Sequence, residues 1–230
     1  MTLPSHQQLM LSEIVSSNPL SPAHLQTERE HANKLLMAGF TTAGFLHLWI
    51  VTEVAAKELM AIYKYTKETH DALKKMGPEL NRALRPHITA SSQKEAHAQA
   101  GELTANALPS LVRPLQGIFK SHAQNSCRQL DISVIKAAFQ VLAQPVDSER
   151  LEYLLATKVT DPPAGIGLTD KITVRERRNK LVHSNGSVDA ATVMQLLPIF
   201  DVFFNLLQQI SAQIHQEQDA QHNLNNEVAQ

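Results

Sequence analysis

Apolar residues recur at three- and four-residue steps along most of this chain, and no useful length of strand alternation interrupts them. The strongest run spans about Gly44 to Lys75. Leu46, Trp49, Ile50, Ala56, Met60 and Tyr63 fall on one stripe, while Lys57, Lys64, Lys67 and Lys74 stay outside it. Gly77-Pro78 is expected to stop this helix. Upstream, a short helix is predicted over Gln7–Val15. A second starts at Ser21-Pro22, with serine as cap and proline in the first turn, and runs to about Met37 before Gly39 and Thr41-Thr42 interrupt it. Downstream, Asp131 caps a helix carrying Ile132, Ile135, Phe139 and Leu142, which Pro145 ends. Ser148 opens a short one over Leu151–Leu155, and Asp161–Gly167 reads as loop.

Two further helices complete the pattern. Asp170 is the expected N-cap of one over Lys171–Val182, with His183 at its C-terminal end. The other starts near Ser187 or Asp189 and carries Val193, Leu196, Leu197, Phe200, Phe203, Leu207, Ile210 and Ile214 on one face. Its period continues through Pro198, which predicts a kink rather than a stop. The fold class is therefore all-α, an antiparallel helical bundle with a long second helix and an inserted helical segment around 78–130 divided by Pro86, Pro109 and Pro114. Residues 1–20 are read as peripheral, 21–215 as a single domain, and 216–230 as a polar, disordered tail.

Composition narrows the class of function. With 230 residues and 43% apolar content the chain can bury a substantial core. A formal net charge of −1 argues against a globally basic nucleic-acid binder. Cys127 is the only cysteine, which excludes disulfides within the chain and cysteine zinc sites and suits a reducing, cytoplasmic setting. No signal peptide is evident, and the uncharged stretch Leu35–Thr52 is read as a buried core helix rather than a membrane span. The eleven histidines form no His-Glu-x-x-His spacing, and Glu30-His31 and Glu95-Ala96-His97 read as surface residues, so no metal and no cofactor is expected.

One local departure from neutrality stands out. Between Lys171 and Lys180, five cations (Lys171, Arg175, Arg177, Arg178 and Lys180) face a single anion, Glu176. Either they form a solvated helix face or a local RNA-binding patch. The same stretch runs on as Arg177-Arg178-Asn179-Lys180-Leu181-Val182-His183-Ser184-Asn185-Gly186. An arginine, an amide and a histidine are the groups a metal-free ribonuclease requires: imidazole to take a 2′-hydroxyl proton, guanidinium to stabilise charge on phosphoryl oxygens. Arg178 and His183 are five apart and diverge by about 140° on an ideal helix. Convergence therefore requires the helix to end around Val182, or a second copy of the site across a two-fold axis. A second Arg-x4-His, Arg82 to His87, has Pro86 within it and is taken as chance. The alternative role for His183 is simply a favourable cation at a helix C-terminus.

This ten-residue string resembles the Arg-x4-6-His motif of HEPN domains, and the order of helices agrees with that family. The resemblance is tight only over Arg177–Gly186. It implies a homodimeric helical bundle and a metal-independent endoribonuclease acting on RNA, in a toxin or anti-phage defence setting, with an antitoxin or other regulatory protein as a further partner. It implies Arg178 and His183 as the motif residues and Asn179 as the polar residue beside the arginine. Some members also carry an acid on an early helix facing the site. Glu53 is the candidate here, because it shares a face with Trp49, Ile50, Ala56 and Met60; an intrahelical pair with Lys57 is the competing explanation. The different-class alternative is a non-catalytic helical protein- or RNA-binding module of the same fold.

Overall fold

The computed structural model describes residues 5–84, 95, 99, 112–118, 120–121, 129–158, 161–184 and 186–228, excepting the side chains at 80, 81, 83, 84, 215 and 217–228. Among them the regular structure is entirely helical: α1 (His6–Ser16), a 3-10 turn (Asn18–Leu20), α2 (Pro22–Met37), α3 (Thr41–Leu84), α4 (Ile132–Val141), α5 (Ser148–Leu155), α6 (Val174–Ser184) and α7 (Ala190–Val228). The all-α class expected from periodicity is what the chain adopts. Most of the expected segment around 78–130, with Pro86, His87, His97, Pro109 and Cys127, lies outside the described residues.

The chain forms two compact units. The larger contains Met10–Ile62 and Cys127–Gln230. Its core is built from the stripes read in the sequence: Phe45, Leu48, Trp49, Leu59 and Met60 from α3, Ile135 and Phe139 from α4, Leu151, Tyr153 and Leu154 from α5, and Val193, Leu196, Phe200, Phe203 and Ile210 from α7, all buried. Edge-to-face ring pairs lock these layers, Phe45 on Phe200 and Phe139 on Phe203, with centroids 6.0 Å apart in each. The helix α5 packs against α4, α6 and α7, and α2 packs against α7. Between Ala190 and Ile214, α7 is long and apolar enough to cross a membrane, the only such stretch among the described residues. Its apolar face is spent on this core.

The smaller unit contains Met1–Leu9 and Tyr63–Ser126. Here His6 stacks on His70 at 5.8 Å and tilts against Tyr63 at 5.5 Å, and its Nε2 lies 3.2 Å from the Thr66 hydroxyl.

Helix boundaries show where local signals were overruled. Gly77-Pro78 does not stop α3, which continues to Leu84. Gly77 does not adopt the left-handed backbone a terminating glycine needs, and Pro78 removes only one intrahelical hydrogen bond. By contrast α7 passes through Pro198 as its uninterrupted period predicts, and it keeps helical backbone to Val228, beyond the end of its apolar stripe. The expected cap of α6 is also corrected. Thr173 caps it, its hydroxyl accepting from the Glu176 amide at 3.2 Å, and the helix begins at Val174. Asp170 is instead drawn to Arg177, seven residues on.

Two helices end in the same way. At α2, the Gly39 amide bonds the Leu36 carbonyl (3.0 Å) and the Phe40 amide bonds Leu35 (2.9 Å). At α4, Ala143 bonds Gln140 (3.0 Å) and Gln144 bonds Phe139 (3.0 Å). Both are Schellman turns, which need one left-handed residue. Gly39 supplies it at φ +84°, while Ala143 is forced to φ +56°. Beyond the first of these turns, Gly44 lets α3 return close to α2. A Cβ there would stand 2.6 Å from a Leu36 methyl and 3.2 Å from the Ala32 carbonyl oxygen.

Candidate functional site

The candidate acid and the candidate arginine meet. In the second turn after Gly44, α3 presents Trp49 and, one turn later, Glu53; α6 presents Arg178 opposite them. The Glu53 carboxylate accepts the Trp49 indole N–H at 2.8 Å, pairs with Lys57 at 2.8 Å and pairs with the Arg178 guanidinium at 3.5 Å. Arg178 also donates to the Asn179 side-chain oxygen at 3.1 Å. The two contacts of Glu53 coexist. It is paired within its own helix, as i,i+4 spacing allows, and it also reaches the motif arginine on another helix.

Burial acts to raise the Glu53 carboxyl, but hydrogen bonds from Lys57 and Trp49 and the charges of Lys57 and Arg178 together outweigh it. The net result lies below the ordinary glutamate value, so the group is a fixed anion at neutral pH. Its side chain is 20% exposed and that of Arg178 31%, so the pair is partly screened rather than sealed.

His183 is not brought to Arg178. The helix does not end at Val182 but runs through Ser184, so the histidine stays on the helical cylinder in its last turn. Gly186 does not take a left-handed backbone, and Asn185 lies outside the described residues. The five-residue offset from Arg178 is therefore preserved as an angular offset. The His183 side chain is exposed and forms no hydrogen bond or ion pair with another described residue. Asn179, four residues earlier, shares its face.

The basic run divides into structural and free cations. Arg177 is only 13% exposed and pairs with Asp170, with its Nε buried and unbonded. Beside it lies the buried Tyr153, whose hydroxyl faces the Arg177 guanidinium. Burial raises that phenol, the neighbouring Arg177 opposes the rise, and Asp170 adds to it. Arg175 donates to the Leu155 carbonyl at 3.2 Å and so ties α6 to the end of α5. Lys171 makes an exposed pair with Asp161 at 2.8 Å, the kind that water and other anions readily exchange. Lys180 is exposed and pairs with no described residue. Of the five cations, the sequence alone could not show that Arg175 and Arg177 are committed inward.

One cluster was missed. Glu28 and His31 on α2 and His47 on α3 bring three donor atoms within 4.8 Å of one another. His31 is on the surface, as expected, but it faces this cluster. The i,i+3 spacing of Glu28 and His31 is a signal the sequence carries; the third member is sixteen residues further on and only the α2–α3 turn delivers it.

No family model, curated protein or solved structure is found to match this chain.

Proposed function

We propose that the protein is a HEPN-type, metal-independent endoribonuclease that works as a homodimer. The observation that carries this reading is the meeting of Arg178 with Glu53, an arginine of an Arg-x4-His string and an acid on an early helix, beside an exposed His183. His183 takes the proton of an RNA 2′-hydroxyl, and the freed oxygen attacks the adjacent phosphorus. The bond to the 5′-oxygen breaks, and that leaving oxygen takes a proton from the now protonated His183, which returns to its neutral form. The products are a 2′,3′-cyclic phosphate and a 5′-hydroxyl. Arg178, held in place by Glu53 and Asn179, stabilises the charge that builds on the phosphoryl oxygens. Lys180 and the exchangeable Lys171 are the cations free to meet RNA phosphates.

Dimerisation belongs to this reading because one chain keeps His183 off Arg178. Three exposed apolar residues border the ion pair: Ile50 (55% exposed) and Val54 (46%) flank Glu53 on α3, and Val182 (52%) lies one turn after Arg178 on α6. Ile50 was expected in the core stripe; it faces outward instead. Pairing of these apolar side chains across a two-fold axis would set two copies of the motif face to face.

The deciding test incubates the full chain with total RNA in excess chelator, beside His183→Ala and Arg178→Ala. Cleavage by the wild type and by neither variant is expected. Cleavage that survives loss of His183 would overturn the mechanism. A second reading, a non-catalytic RNA- or protein-binding module, is favoured by the occupied guanidinium of Arg178. Its mark is salt-dependent RNA binding with the RNA left intact.

A further inference from the structure

We infer that Glu28, His31 and His47 form a binding site for one divalent first-row transition ion, zinc in the first instance. The inference does not rest on the nuclease reading. Two imidazoles and a carboxylate are the donor set such ions take, and three protein donors leave a position for water.

The fold builds the site beside a close approach of α2 and α3. Gly44 lies against Ala32 and Leu36, and in the antiparallel α2–α3 hairpin the next turn outward on each helix brings His47 beside Glu28. His31 stands one turn from Glu28 on the same face of α2. The His47 Nε2 is 2.9 Å from one Glu28 oxygen and the His31 Nδ1 is 3.9 Å from the other, with the two rings 6.3 Å apart and steeply inclined.

The third donor, His31, sets this cluster apart from a simple histidine–carboxylate pair. The His47 Nε2 is enclosed and faces the Glu28 carboxylate at 2.9 Å. Donors around one zinc ion at about 2.0–2.2 Å stand roughly 3–3.5 Å from each other. The Glu28–His47 separation is already short enough, and only the half-exposed His31 ring has to swing inward.

Co²⁺ tests this without any assay of activity. Adding Co²⁺ to the metal-free full chain should give visible ligand-field bands saturating at one equivalent, and Zn²⁺ should displace them. His31→Ala and Glu28→Gln, the first at an exposed position and the second isosteric, should each weaken binding at least about tenfold, with unchanged helical circular dichroism. His24→Ala, on α2 but outside the cluster, should bind as the wild type does. Absence of bands, or bands equally strong in both His31→Ala and Glu28→Gln, would overturn the assignment. RNA cleavage in chelator is a separate readout, so failure of either proposal leaves the other standing.

Discussion

Glu53 is the residue on which most of the local chemistry converges, because three donors share its two oxygens. Glu53→Ala would leave the indole N–H of the buried Trp49 without an acceptor and two cations without their anion. A loss of about 1–3 kcal/mol in denaturant unfolding is expected, most of it from the orphaned donors. Because the folded carboxyl lies below its ordinary value, its stabilisation is complete above pH 4.5 and disappears as the pH falls through the lower folded value. Acid unfolding of Glu53→Gln should accordingly show a shallower limb than the wild type. The sequence revealed this residue as an acid on an apolar face and named Lys57 as its neighbour. It could not reveal the indole bond or the arginine, which depend on a rotamer and on a distant helix. Asp170 illustrates the opposite failure. Its local signal as a cap was sound, but Thr173 is equally able to cap and Arg177 offers a charge, so the tertiary pairing prevailed.

At the level of elements, the matched ends of α2 and α4 permit a comparison within one molecule. Ala143 occupies a left-handed position that Gly39 fills in the other turn. Ala143→Gly should therefore raise stability by about 1 kcal/mol, read as a higher midpoint in urea at unchanged slope. Helix starts were easier to read than helix ends. Ser21, Asp131 and Asp189 each act as the caps their side chains suggest, accepting amide hydrogens two or three residues on. Ends were misjudged where a proline or glycine was taken as decisive. At Gly77-Pro78 the helix outlasts the signal, and the glycine there does not take the left-handed backbone a stop requires.

For the whole molecule, the proposed two-fold pairing places its interface on the surface around Arg178 and Glu53, and that placement is testable. Ile50→Asp combined with Val54→Glu should convert a dimer into a monomer in light scattering and abolish RNA cleavage while leaving the fold intact. A wild-type chain that is monomeric at every accessible concentration would remove the two-fold arrangement. The all-α architecture was legible because amphipathic period survives in nearly every core helix. The metal-type cluster was not, since His31 and His47 are brought together by a turn whose closeness depends on what Gly44 lacks. Ile50 was misassigned for a related reason. A stripe defines a face only to within a residue or so, and a helix that buries one side against several neighbours leaves its margin exposed.

Trp49 is the single tryptophan of the chain, and its indole nitrogen is bonded directly to the carboxylate that holds Arg178. The protein thus contains a spectroscopic reporter wired to its own candidate site. Drawing Arg178 away toward a phosphate, or neutralising Glu53 with acid, changes the charge felt at the indole. The intrinsic emission of the unlabelled protein should follow both events, resolved in time as well as in amplitude.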